Sequence, residues 1–172
     1  MLRNGLIIFL LFLFFGCSHR RQSTTLTTGP LPAVNEEYIG LHHPPLPFGL
    51  NDQAGYLINP DAKIEYTVSY IARVSGEMLW LERLTHRDPS GHPFFEVRAV
   101  LYLPLLSDHE FLVFGQCRVD EVADPEIIAL VETRDEEVYT EIRMAWRADR
   151  QGERFEAVPL EGVTCINESY GA

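Results

Sequence analysis

The chain has 172 residues, of which 46% are hydrophobic, a proportion typical of a globular protein rather than a disordered one. All 25 acidic residues lie at or beyond Glu36, together with 11 of the 14 basic residues, so this part carries a formal charge near −14. Because nucleic-acid binding depends on Lys and Arg displacing phosphate counterions, the composition argues against a nucleic-acid partner.

The first seventeen residues have the pattern of a secretion signal. Arg3 supplies a positive charge, and an unbroken apolar run of ten residues extends from Leu6 to Phe15. This is half of the roughly 20 residues that a membrane-spanning helix needs, and it suits a signal peptide. The run ends in Phe14-Phe15-Gly16-Cys17, which resembles the lipobox of bacterial lipoproteins, with phenylalanines in place of the usual Leu and small residue.

The resemblance implies that residues 1–16 are removed and that Cys17 becomes a lipidated N-terminus carrying acyl chains such as palmitate. Ser18, rather than Asp, follows the cysteine, as in lipoproteins of the outer membrane. We therefore expect a periplasmic location, with the lipid anchor holding the protein on the outer membrane. The alternative is an ordinary signal peptide or a short anchor, with an unmodified Cys17.

Residues 17–35 are polar and contain several Thr and Pro residues, which predicts a flexible tether before a single β-rich domain over residues 36–172. As a random coil, the tether spans about 20–25 Å. The Pro-rich stretch from Pro44 to Phe48 favours extended polyproline geometry. It can dock on a partner or cover a sheet edge, and we favour the second role.

From Ile64 onward the hydrophobic pattern alternates with a period of two, which indicates half-buried strands. The expected strands lie over residues 64–74, 78–84, 95–103, 111–117, 127–131, 138–146, 155–160 and 162–166. Seven or eight short strands predict an all-β fold, an antiparallel sandwich or an open barrel. The alternative is an α+β fold, because Asp124-Pro125-Glu126 is also a helix start.

Cys117 and Cys165 are the cysteines left once Cys17 carries lipid. In an oxidising compartment two such cysteines normally pair, so we expect a structural disulfide. The chain-entropy model gives its loop of about fifty residues a stabilisation of roughly 4 kcal/mol.

The sequence contains no complete motif for catalysis, metal binding or a cofactor. HExxH, GxSxG, CxxC and glycine-rich phosphate loops are all missing, so no cofactor is predicted. His86 and His92 flank the turn at Asp88, which makes these three residues weak metal candidates.

Three classes of function remain. We expect first a lipid-anchored binding, assembly or inhibitor component, with the membrane and an envelope protein as partners. The second class is a hydrolase or metal-dependent enzyme whose site combines His86, Asp88 and His92 with His109. The third is a carrier of a small apolar or lipid ligand, since antiparallel barrels often enclose one.

Overall fold

The computed structural model describes residues 36–58 and 65–171. Within these ranges the chain forms a short 3-10 helix, Glu36–Tyr38, and thirteen β-strands. The strands are β1 (His42–His43), β2 (Asn51–Ile58), β3 (Tyr66–Arg73), β4 (Gly76–Arg87), β5 (Pro93–Tyr102), β6 (Glu110–Phe114), β7 (Cys117–Val119), β8 (Val122–Ala123), β9 (Ile127–Glu132), β10 (Val138–Tyr139), β11 (Ile142–Asp149), β12 (Arg154–Ala157) and β13 (Val163–Ile166).

These strands form three antiparallel sheets. Sheet A has the order β1-β5-β4-β3-β2, sheet B has β12-β11-β9-β6, and sheet C has β10-β13-β7-β8. The all-β prediction is confirmed as an antiparallel sandwich, and no sheet closes into a barrel. The α+β alternative is wrong for the described residues, whose single helical element is three residues long.

The first hydrophobic core lies between sheets A and B. Sheet A contributes Val68, Leu79 and Leu81, and sheet B contributes Leu130 and Trp146. The members on β3 and β4 alternate along their strands, as the period-two pattern predicts. Burial of these side chains is the main force that holds the two sheets face to face.

A second core joins the opposite face of sheet B to sheet C. Ile127, Ala129 and Val131 of β9 pack here with Val163 of β13. The intervening residues of β9 belong to the first core, so this strand is buried on both faces. Burial on both sides explains why its sequence is continuously apolar rather than alternating, and it confirms the predicted strand.

The N-terminal strap, defined here as residues 36–50, covers the outer face of sheet A. Its strand β1 pairs with the edge strand β5, placing His43 opposite Phe95. Leu41 and Leu46 of the strap pack against a third core that includes Trp80. The edge of β5 is thus covered by His42 and His43, which precede the Pro-rich stretch, and the strap also covers a face that the alternating pattern marks as solvent-exposed.

The predicted disulfide is present. Cys117 of β7 lies directly opposite Cys165 of β13, and their sulfur atoms are 2.06 Å apart. The bond therefore joins two neighbouring strands of sheet C.

The predicted strand over residues 138–146 is wrong in detail. The chain divides it into β10, which pairs in sheet C, and β11, which pairs in sheet B. A register irregularity between Ile142 and Met144 then shifts the alternation, so that Met144 is exposed while Ala145 and Trp146 are buried. Division of strands between sheets, and very short pairings such as β1 and β8, raise the strand count above seven or eight.

Several predictions concern parts of the chain outside the described residues. The apolar run from Leu6 to Phe15, the lipidation site Cys17 and the tether all lie there. Over the ranges that are described, no helix has the length and hydropathy needed to cross a membrane.

Candidate functional site

The most exposed large apolar side chains of the described residues are Phe48, Val74 and Leu105. Their relative exposures are 107%, 106% and 93%, and the next highest value is 70%, for Val122. Single exposed apolar residues are common on soluble proteins, so it is their shared position that matters. We call these three residues the apolar end.

All three residues follow or precede a strand at the same end of sheet A. Val74 follows Arg73, the last residue of β3, in the turn that leads to β4. Phe48 lies three residues before Asn51, which pairs with Ala72. Leu105 lies three residues after Tyr102, which pairs with Met78. Three loops from distant parts of the sequence therefore place an apolar side chain at one end.

The described chain also begins at this end. Glu37 of the strap forms an ion pair with Arg73, with an N–O distance of 3.4 Å. Arg73 in turn lies over the ring of Tyr102, 5.0 Å from its centroid. The first described residues of the strap therefore lie beside the apolar end.

The fold itself does not call for apolar residues at these positions. Val74 is followed by Ser75 and Gly76, and Phe48 is followed by Gly49, where φ is +86°. Such turns are usually built from Gly, Pro, Asn, Asp and Ser, which hydrogen-bond to the backbone or to water. A fully exposed Phe or Val adds nothing to the core, so its position suggests a contact outside the domain.

The opposite end of sheet A holds the predicted metal candidates. In the β4–β5 turn, Asp88 accepts hydrogen bonds from the backbone N–H groups of Ser90 and His92, both at 2.8 Å. These contacts, first among them the one from His92, lower the pKa of Asp88. The Asp88 carboxylate is 3.1 Å from Nδ1 of His92. The His86 ring instead stacks on the Phe94 ring, with 4.6 Å between the two centroids.

This arrangement stabilises a turn. His109 does not belong to this turn, because it lies just before β6 of sheet B. Among the residues with described positions, no group of three or more His, Cys, Asp or Glu side chains is placed to hold a metal ion.

A buried polar cluster under the strap was not predicted from the sequence. Glu82 of β4 is completely buried, and its carboxylate contacts Nε2 of His43 at 2.5 Å and the Ser69 hydroxyl, which donates at 2.6 Å. Burial, and next the charge of Glu82, raise the pKa of nearby Asp52. The sequence signal was Glu82, which with Arg83 interrupts the otherwise apolar stretch from Met78 to Leu84.

Glu153, in the β11–β12 turn, connects sheets A and B through ion pairs. Its carboxylate accepts hydrogen bonds from Nε of Arg98 at 2.7 Å and from the Tyr66 hydroxyl at 2.9 Å. Burial alone would raise the pKa of Glu153, but the bonds from Arg98 and Tyr66 and the charges of Arg98 and Arg83 lower it overall. This network has the geometry of a structural bridge between two sheets.

A shallow surface depression of about 410 Å³ lies beside sheet C, between Phe111, Tyr139 and Tyr170. The Asn167 side chain at its rim donates a hydrogen bond to the backbone carbonyl of Glu136, at 2.9 Å. The Asn167 amide at this rim is therefore already bonded within the chain.

No protein-family model, curated protein or solved structure matches this chain. Its function is therefore inferred from the residues and the geometry described above.

Proposed function

We propose that this protein is a lipid-anchored component of the bacterial outer membrane, attached through Cys17, whose β-sandwich acts by binding rather than by catalysis. Its role would be that of a binding, assembly or inhibitor component on the periplasmic face. The observation that carries this proposal is that the described chain begins at the apolar end. An anchor preceding Glu36 would therefore be attached to the domain at this end.

The N-terminal pattern supplies the attachment. Residues 1–16 resemble a lipoprotein signal peptide, and Cys17 occupies the position that receives lipid. Each buried methylene contributes about 0.8 kcal/mol, so one acyl chain binds reversibly and several hold a protein almost permanently. The tether of about 20–25 Å then keeps the domain close to the bilayer without fixing its orientation.

The charge of the chain supports the need for such an anchor. From Glu36 onward the 25 acidic residues outnumber the 11 basic ones, and an anionic membrane surface repels a domain of this charge. Acyl chains, rather than Lys and Arg, would then supply the attraction to the membrane. The same acidic surface favours a basic protein partner.

The direct test is metabolic labelling of the full chain with an alkyne analogue of palmitate, followed by mass spectrometry of the mature protein. We expect the unchanged protein and a Ser18→Ala control to incorporate the label at residue 17. A Cys17→Ser variant should incorporate none and should keep its leader. An unmodified Cys17 thiol in the mature unchanged protein would refute the proposal.

A further inference from the structure

We infer that the apolar end docks on the lipid bilayer to which the chain is anchored, with Phe48, Val74 and Leu105 entering the membrane interface. This inference rests on the proposed anchor and goes further, because it assigns one surface of the domain to one occupant. Anchoring alone would leave the sandwich free to tumble on its tether.

The geometry of the three loops supports a single contact. Phe48 belongs to the strap, Val74 to the β3–β4 turn and Leu105 to the connection between sheets A and B. The sequence separates them by 26 and 31 residues, yet the register of sheet A brings them to one end. Three fully exposed apolar side chains at one end present a surface that water solvates poorly and that the membrane interface accepts.

The position of Glu37 identifies the occupant. Glu37 is paired with Arg73 at the apolar end, and eighteen residues separate Cys17 from Glu36. A flexible tether of this length makes contact with the anchoring bilayer an intramolecular event, with a high effective concentration. A soluble partner or a second copy of the chain has no such advantage at this surface.

The local charges specify the kind of lipid. Arg73 is already paired with Glu37, while Glu77, which lies opposite Ala72, adds an acidic residue at the same end of the sheet. Acidic groups around an apolar contact oppose an anionic surface. The inference is therefore docking on zwitterionic lipid, such as phosphatidylcholine or phosphatidylethanolamine, with weaker docking as anionic lipid is added.

Strand β4 provides a matched pair of positions for the test. Val74 lies two residues before its first residue, whereas Ser90, also exposed, lies three residues after its last. Twelve residues of strand separate the two turns by about 35–40 Å. Cys117 and Cys165 are bonded to each other, and the lipid occupies Cys17, so a single introduced cysteine takes a fluorescent label selectively.

The experiment uses the full lipidated chain in phosphatidylcholine vesicles, with the fluorophore at Val74→Cys or at Ser90→Cys. We expect brominated phosphatidylcholine to quench the label at position 74 at least twofold more than the label at position 90. Aqueous iodide should show the reverse order. Adding Phe48→Ser and Leu105→Ser should reduce lipid quenching at position 74 to the level at position 90, whereas Val122→Ser should not.

Equal lipid quenching at the two positions, on protein whose Cys17 is shown by mass spectrometry to be acylated, would overturn the docking and leave the anchor intact. An unacylated Cys17 would instead overturn the proposed function. The label at position 74 could instead shift to the blue as more protein is placed on each vesicle, without being quenched by lipid. That result would assign the apolar end to a second copy of the chain and would also overturn the inference.

Discussion

Removing the His43 side chain tests how the strap is held on sheet A. Glu82 has no exposed surface and His43 is 9% exposed, so neither group can be solvated without moving the strap. His43→Ala leaves the Glu82 carboxylate with the Ser69 hydroxyl as its remaining contact in the cluster. Leaving a buried polar group without one of its hydrogen-bond partners typically costs about 1–3 kcal/mol, because its desolvation is no longer compensated.

Urea unfolding measures this loss. Domains of this size are stable by about 5–15 kcal/mol, so the expected change is a large part of the total free energy of unfolding. The Trp80 ring lies 5.6 Å from that of His43, so tryptophan fluorescence reports on the same site. The neighbouring exposed residue supplies the control, and His42→Ala should change the free energy of unfolding by less than about 0.5 kcal/mol.

A double-mutant cycle separates charge from packing. In a Glu82→Gln background the buried group is neutral, so His43→Ala should cost much less than it does in the unchanged protein. Equal costs in the two backgrounds would show that the imidazole acts by filling space. A loss below about 1 kcal/mol in the unchanged background would refute the reasoning, because a buried polar group that loses a hydrogen-bond partner should cost at least that much.

Two further predictions concern other parts of the sandwich. Gly115 has a φ of +66°, and a Cβ at this position would lie 2.1 Å from the Tyr56 ring. Gly115→Ala should therefore lower the free energy of unfolding by about 1–3 kcal/mol. The control Gly55→Ala should not lower it, because a Cβ there meets no atom within 4 Å. The second uses pH. Because the pKa of Glu153 lies below its usual value near 4.5, its stabilisation is present above about pH 4.5 and is lost as the pH falls through the lower folded pKa. Arg98→Met should therefore make the free energy of unfolding less dependent on pH between about 6 and 3, and an unchanged slope in urea titrations would contradict this.

Local sequence patterns were enough to predict the fold class. Period-two alternation identified β3 and β5, and the short apolar sequence after Asp124-Pro125-Glu126 was correctly interpreted as a strand. The pairing of Cys117 with Cys165 followed from the number of cysteines once Cys17 was assigned to the lipid. These features depend on residues close in sequence or on a choice with few alternatives, so they are visible before folding is considered.

The surroundings of each face were decided by tertiary structure. Alternation marked the outer face of sheet A as exposed, but residues 36–50 cover it and bury Glu82 and His43 together, 39 positions apart in sequence. The apolar end is likewise invisible in the sequence, because Phe48, Val74 and Leu105 share an end only through the register of sheet A. A sequence determines by itself which side chains alternate along a strand. What lies opposite each face depends on packing between distant segments, which local patterns do not encode.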